Sequence, residues 1–185
     1  ELAIHALIAD ESVIHGDTAN FTGDLATASG DKSGDTVVDF SLSELGGFRV
    51  VWESKTQGSF KSTKGLLLHS AVRMELQKAL TNRDANCAVF VADSPGLELQ
   101  PEWQLLENDK LMIVINPEEP DQRLIRLAYL WSKSVAARKT DVGHAIDFAA
   151  IENGLGDLDA AVNSYKTLKA AHTKIETGLT EARGI

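Results

Sequence analysis

Two strand-forming segments separated by a short turn constrain the fold of this chain more than any other feature. Residues 35–40 have the sequence DTVVDF, and residues 48–55 have the sequence FRVVWESK. Both segments are rich in β-branched and aromatic residues, which are typical of strands. Residues 41–47 between them end in two glycines. The sequence therefore predicts a β-hairpin made of these two strands.

A helix and a further strand are predicted directly after the hairpin. Apolar residues recur at four-residue steps, and Ser62 or Thr63 is the predicted N-cap of this helix, which ends near Asn82. Residues 87–92 are almost wholly apolar and predict a buried strand. A strand, a helix and a strand in this order form a crossover with the two strands parallel. The apolar residues of the helix are Leu68, Val72, Leu76 and Leu80.

The remaining patterns complete an α/β domain, predicted to span residues 1–139. They predict helices over residues 1–13 and 121–139, a weak strand over 18–22, a loop over 23–34 and a buried strand over 111–115. Trp103 is predicted to lie in a loop or a short helical turn. The predicted fold class is an α/β sandwich, with a mixed sheet flanked by helices.

The segment 140–185 has a different character, with no strand signals and no proline. Apolar residues such as Leu158, Val162 and Tyr165 recur there at three- and four-residue steps. This heptad-like spacing predicts a C-terminal helical extension, either a coiled coil or an oligomerisation element. A homo-oligomer formed through these helices is the expected assembly.

Composition narrows the functional classes. The net charge of −9 argues against a nucleic-acid partner, although an acidic centre with a small basic rim is compatible with it. No apolar run approaches the ~18 residues of a membrane span. The single cysteine, Cys87, excludes an internal disulfide, and we expect it to be a small buried hydrophobe of a cytoplasmic protein. The five histidines lack metal-ligand spacing, so zinc is not expected.

The hairpin brings two acids and one base to the same place. Alternate residues of a strand share a face, so Glu53 and Lys55 project together. Folding about the turn places Asp35 opposite Glu53 or Lys55, and Asp39 near Arg49 at the other end. Two carboxylates at one point repel each other unless a cation is bound. Mg²⁺ (or Mn²⁺) is the expected cofactor, because it prefers oxygen ligands and binds through one or two carboxylates.

These residues resemble the PD-(D/E)XK, or restriction-endonuclease-like, nuclease superfamily. The matching elements are Gly34-Asp35 followed by β-branched residues, and then the segment Val51 to Lys55 with its Glu-x-Lys motif. The resemblance covers residues 1–139. The chain also resembles uncharacterised bacterial members in which a nuclease-like core is joined to long helices.

The resemblance implies an αβββαβ core and a metal-dependent hydrolysis of DNA. Asp35 and Glu53 would hold the metal together with the backbone carbonyl of Ser54, and Lys55 would orient the attacking water. The catalytic residues would then be Asp35, Glu53 and Lys55. One departure from the family is that Gly34, and not a proline, precedes the aspartate.

Several further polar residues are weaker candidates. Lys61 and Lys64 follow the second strand and are predicted to touch phosphate, with an ordinary surface position as the alternative. Glu75 and Gln77 on the next helix are predicted to reach the site or to lie on a solvated helix face. The remaining candidates are Asp39 as an alternate metal ligand, Arg83 as a helix-end or substrate-binding residue, and Glu1 as an acidic helper.

Two alternatives to a nuclease stay open at this stage. In one, the fold is a catalytically inactive interaction or nucleic-acid-binding module that works through its helical tail, as the acidic charge favours. In the other, the chain is a structural domain in which the three residues meet by accident. Divalent-metal binding that depends on Asp35 and Glu53 separates the last interpretation from the others.

Overall fold

The computed structural model of this protein describes residues 1–26, 30, 32–41, 47–56, 62–63, 66–93, 100–116, 118, 120–139, 169 and 171–175. The chain divides into two compact units, Glu1–Val142 and Gly143–Ile185. In the second unit, residues 171–175 are helical. Apart from residue 169, the rest of the predicted extension lies outside the described residues. Its role in oligomerisation stays a prediction.

The described part of the first unit contains three helices and eight strands. The helices are α1 (Leu2–Ile14), α2 (His69–Arg83) and α3 (Gln122–Lys139). The strands are β1 (Thr18–Phe21), β2 (Thr36–Asp39), β3 (Arg49–Lys55), β4 (Ser62–Thr63), β5 (Leu66–Leu67), β6 (Cys87–Asp93), β7 (Trp103–Glu107) and β8 (Lys110–Ile115).

Six of the strands form one mixed sheet in the order β1-β2-β3-β6-β8-β7. Strands β1, β2 and β3 pair antiparallel, and β2 and β3 form the predicted hairpin. Strand β6 is parallel to both β3 and β8, as the predicted crossover requires for β3 and β6. Strand β7 is antiparallel to β8. The chain is therefore a mixed α/β protein with a six-stranded mixed sheet flanked by helices.

Helix α2 covers the sheet face that carries the odd-numbered residues of β3. Val51 on β3 packs in one apolar cluster with Phe90 on β6, and with Val72 and Leu76 on α2. All four side chains are fully buried. The same alternation of β3 directs Glu53 to this face. Burial of the apolar face of α2 therefore fixes the sheet face on which Glu53 lies.

The opposite sheet face contacts α3, which packs in turn on α1. Trp52 on β3 is fully buried there. Cys87 on β6 is also fully buried, and its burial raises the pKa of the thiol to about 12, although Ser132 on α3 hydrogen-bonds to it. Cys87 is therefore the buried hydrophobe that the sequence predicts.

The predicted N-cap of α2 is wrong. Ser62 and Thr63 form strand β4, which pairs antiparallel with β5 in a separate two-stranded sheet. Helix α2 begins only at His69, after an extended Leu68. A serine or threonine before an apolar run indicates a cap only when the chain turns into the helix at that point, and here a second hairpin intervenes.

The prediction for Trp103 is also wrong. Trp103 begins strand β7 and pairs with Ile113 of β8. Its strand lies at the edge of the sheet, and only Leu106 of its five residues is buried. An edge strand with little buried surface lacks the continuous apolar run by which β8 is recognised.

None of the helices in the described part of the chain is long and apolar enough to cross a membrane.

Candidate active site

The register of the hairpin brings Asp35 and Glu53 together. Thr36 pairs with Trp52, so the preceding residue, Asp35, lies beside Glu53 where β2 begins. The amide N–H of Asp35 donates to the carbonyl of Trp52 at 2.9 Å and extends the pairing by one step. Asp35 is 6% exposed and Glu53 is fully buried. Two carboxylates therefore share a buried position on the α2 side of the sheet.

Backbone amides on the two strands hold these carboxylates reciprocally. The N–H of Ser54, which follows Glu53, donates to Oδ2 of Asp35 at 2.7 Å. The N–H of Gly34, which precedes Asp35, donates to Oε2 of Glu53. One oxygen of each carboxylate is thus fixed by a neighbour of the other carboxylate. Of the remaining two oxygens, Oε1 of Glu53 contacts the ammonium of Lys55.

Lys55 completes the group. Its ammonium contacts Oε1 of Glu53 and lies 3.8 Å from Oε1 of Glu75 on α2. The side chain of Lys55 is 24% exposed, so the ammonium is the most accessible charge among the three central residues. A partly exposed cation between two acids is placed to reach a molecule that enters from solvent.

Burial raises the pKa of both acids of this group. Burial, followed by the charge of Asp35, raises the pKa of Glu53 to about 7 against the opposing effects of Lys55 and of the Gly34 amide. Burial also raises the pKa of Asp35, as does the charge of Glu1, while the Ser54 hydrogen bond lowers it. Burial is the largest cause of both shifts, and for Glu53 the negative charge of Asp35 adds to it.

The surroundings of Lys55 favour its charged form. Burial on its own lowers the pKa of Lys55, but the hydrogen bond and the charge of Glu53 outweigh it. The charges of Asp35 and Glu75 add to this effect, and the pKa of Lys55 is raised. Lys55 therefore stays protonated at neutral pH, as a donor and not as a base.

The donor set fits a small divalent cation with a preference for oxygen. Mg²⁺ is commonly held by one or two carboxylates and retains several waters. Asp35 and Glu53 supply two carboxylates. The N–H of Ser54 donates to Asp35, and the N–H and C=O of one strand residue point to the same side of the strand, so the Ser54 carbonyl lies on the side of β3 that faces β2. Among the described residues, no group of three or more His, Cys, Asp or Glu side chains is arranged to hold a metal ion.

Of the weaker candidates, the structure brings Glu75 to the site through its contact with Lys55. Gln77 is exposed, two positions further along α2, and therefore points away from Glu75. Lys61 and Lys64 lie outside the described residues. Asp39 lies at the turn end of the hairpin, where its carboxylate pairs with Arg49 at 2.7 Å, as predicted from the register.

Two residues that hold the site were not assigned that role from the sequence. Gly34 has a φ of +95° and donates its N–H to Glu53. Arg83, at the end of α2, donates to backbone carbonyls of the loop before Asp35. A glycine directly before the aspartate is a signal for positive φ. Nothing in the local sequence distinguishes Arg83 from an ordinary helix-end arginine.

Comparison of the chain with known protein families, with curated proteins and with solved structures finds no match.

Proposed function

We propose that this protein is a Mg²⁺- or Mn²⁺-dependent nuclease of the PD-(D/E)XK type, which hydrolyses phosphodiester bonds of DNA. The observation that carries the proposal is the reciprocal pair of backbone hydrogen bonds at the hairpin end, from Ser54 to Asp35 and from Gly34 to Glu53. Two buried carboxylates held in this way beside the ammonium of Lys55 are costly without a bound cation. A cluster of charged groups that is unfavourable for stability is best explained by a catalytic role for those groups.

The order of elements supports the same family. With the short β4-β5 pair between β3 and α2 set aside, the order α1-β1-β2-β3-α2-β6, with β3 and β6 parallel, is compatible with the αβββαβ core that the resemblance implies. The departure at Gly34 has a local reason. Proline fixes φ near −65° and has no N–H, whereas Gly34 has φ +95° and donates to Glu53. A proline at this position would remove a contact on which the acidic pair depends.

Each residue has a distinct task in this proposal. Asp35, Glu53 and the carbonyl of Ser54 would hold the metal, which when bound stabilises negative charge on phosphate oxygens and lowers the pKa of water. Glu53 must be deprotonated for this, and the ammonium of Lys55 must leave Oε1. Lys55 then orients the attacking water and offsets phosphate charge, for which its partial exposure suits it.

An acidic chain can still bind DNA if its basic residues lie near the site. The full chain has 18 basic and 27 acidic residues. Helix α2, whose Glu75 contacts Lys55, is basic in contrast: Arg73, Lys78 and Arg83 stand against one acid. Among these, Lys78 is 55% exposed and close to Glu75. Because Arg83 donates to loop carbonyls and Arg73 pairs with Glu107, Lys78 is the base of this helix that we propose to approach phosphate.

Cleavage assays test the proposal. Supercoiled plasmid and linear DNA are incubated with wild type, Lys55→Ala and Asp39→Asn, with Mg²⁺, with Mn²⁺ and with EDTA. We expect metal-dependent cleavage, reduced about 100-fold or more in Lys55→Ala. Asp39→Asn is the matched control, because Asp39 lies on the same hairpin and pairs with Arg49 away from the site.

Two kinds of negative result lead to different conclusions about the protein. Wild type that binds Mn²⁺ without cleaving either DNA would favour the inactive interaction module. Wild type that binds no metal would contradict the nuclease proposal and leave the three residues as a structural cluster.

A further inference from the structure

Arg83 binds a ring of backbone carbonyls in the loop between β1 and β2. Its Nε donates to the carbonyls of Ser33 and Gly34, both at 3.1 Å. Its Nη2 donates to the carbonyls of Thr22 and Leu25, both at 2.8 Å. A weaker contact reaches the carbonyl of Lys32 at 3.4 Å. A single guanidinium at the end of α2 thus ties together both ends of one loop.

The loop in turn encloses the backbone of Asp35. The amide of Thr22 donates to the carbonyl of Asp35 at 2.7 Å, and the amide of Gly23 donates to the same carbonyl at 3.0 Å. The hydroxyl of Thr22 donates to the carbonyl of Gly34 at 2.7 Å. Arg83 and Thr22 therefore both hold the carbonyl of Gly34, and Thr22, whose own carbonyl Arg83 holds, also holds the carbonyl of Asp35.

The geometry points to Arg83 as the positioning residue of the acidic pair: it holds Gly34 so that its N–H meets Glu53, and holds Asp35 so that its carboxylate meets the Ser54 amide. This inference rests on the proposed function, since it concerns the two proposed metal ligands. It also gives Arg83 a role other than the substrate contact considered from the sequence, because the guanidinium faces protein carbonyls.

The chemistry of arginine explains why this residue type stands there. Several carbonyl dipoles that converge on one point repel each other unless a cation with several donors lies between them. Guanidinium is planar, always charged and presents five N–H groups, whereas an ammonium is a compact point charge. The Cγ of Arg83 also lies where a side chain at Gly34 would be, because a Cβ there would be 2.7 Å from it. Arg83 and Gly34 therefore fit as a pair.

Metal binding measures this role without relying on catalysis. Mn²⁺ is titrated calorimetrically into wild type, Arg83→Met, Arg83→Lys and Arg73→Met, with the fold of each checked by circular dichroism. Arg73 is the matched control: it lies on α2, donates to the carbonyl of Leu106 at 3.2 Å and pairs with Glu107, away from the acidic pair. We expect Arg83→Met to weaken Mn²⁺ binding by about 10- to 100-fold. Arg73→Met should leave it unchanged, and Arg83→Lys should recover part of the loss.

The outcomes separate this inference from the proposed function. A folded Arg83→Met that binds Mn²⁺ as tightly as wild type overturns the inference alone. Wild type that binds no Mn²⁺ overturns the proposed function and the inference with it. If Arg83→Met does not fold, Arg83→Lys decides, because it keeps the positive charge but replaces the planar set of donors by a compact ammonium. We expect a smaller loss of Mn²⁺ affinity in that variant, and unchanged affinity overturns the inference.

Discussion

The amide N–H of Ser54 donates to Oδ2 of Asp35 at 2.7 Å, across the open end of the hairpin. The amide of Gly34 donates to Glu53 in the reverse direction. Each carboxylate is therefore oriented by the strand that carries the other. A shift of one strand against its neighbour would disturb both acids at once, so the geometry of the pair depends on the register of β2 and β3.

Replacing Asp35 separates function from stability. Asp35→Asn keeps an oxygen that can accept the Ser54 hydrogen bond. It removes the ionisable carboxyl group, whose pKa is raised by burial. We expect calorimetric binding of Mn²⁺ to be lost, while the free energy of unfolding at pH 8, from urea titration, is unchanged or higher. Destabilisation with metal binding retained would contradict the role assigned to this carboxylate.

Asp39→Asn is the control for that experiment. Asp39 and Arg49 form an ion pair with 43% and 37% of their side chains exposed. Exposed pairs contribute at most about 1 kcal/mol. We therefore expect Mn²⁺ affinity equal to wild type and a small loss of stability. A loss of metal binding in this variant would place the ligands nearer the turn than we propose.

The sequence was sufficient to predict most of the sheet. The hairpin, the helix that crosses to β6, and the strand β8 have strong local patterns, because both faces of β3, β6 and β8 are buried and their sequences are largely apolar. Strand β7 was missed, since Trp103 and its neighbours are largely exposed at the sheet edge. Ser62 and Thr63 were given to a helix cap because their hairpin contains only two residues in each strand.

The candidate site was predictable to the extent that it follows from strand geometry. The sequence places Asp35 opposite Glu53 or Lys55 and offers Glu75 or Gln77 on the helix, and the structure selects Glu53 through the strand register and Glu75 through its contact with Lys55. The backbone donors were not predictable, because they depend on the path of the loop before Asp35. That path is set by Arg83, which lies about 50 residues away in the sequence and contacts the loop only in the folded chain.

Gly34 should tolerate no side chain. A Cβ at this position would lie 2.7 Å from Cγ of Arg83 and 2.8 Å from Cγ2 of Val51, at a φ of +95°. We expect Gly34→Ala to lower the free energy of unfolding, measured in urea, by about 3 kcal/mol or more, through strain and overpacking together. Gly16→Ala is the control, because Gly16 also has a positive φ but a Cβ placed there would meet no atom within 4 Å. It should cost only about 1 kcal/mol.

Stability should fall as pH rises through the range in which Glu53 ionises. Its pKa is raised from the ordinary 4.5 to about 7 in the folded protein. Between these values the folded state keeps a proton that the unfolded state has released, so the free energy of unfolding decreases with pH, by up to about 3 kcal/mol. Urea titrations from pH 4 to 8 of wild type and Glu53→Gln isolate this contribution. The free energy of unfolding of Glu53→Gln should rise relative to that of wild type as the pH increases. A difference that does not change with pH would contradict the raised pKa.

Added Mn²⁺ should oppose this trend. A divalent ion binds the deprotonated form of Glu53, so metal binding releases a proton near neutral pH. We expect Mn²⁺ to raise the melting temperature of wild type more at pH 8 than at pH 6, and to leave Glu53→Gln unchanged at both. Equal stabilisation of the two proteins would show that Mn²⁺ binds elsewhere.

Glu75 should affect the rate of cleavage more than the binding of metal. Its carboxylate lies 3.8 Å from the ammonium of Lys55, which also contacts Glu53. When Glu53 turns to a metal, Glu75 is the acceptor that remains for Lys55. Glu75→Gln keeps the shape but not the charge, so we expect the single-turnover rate to fall about 10-fold with Mn²⁺ affinity unchanged. Gln77→Ala, on the exposed side of the same helix, is the control and should behave as wild type. A Glu75→Gln protein with a wild-type rate would show that Lys55 does not depend on Glu75 for its orientation.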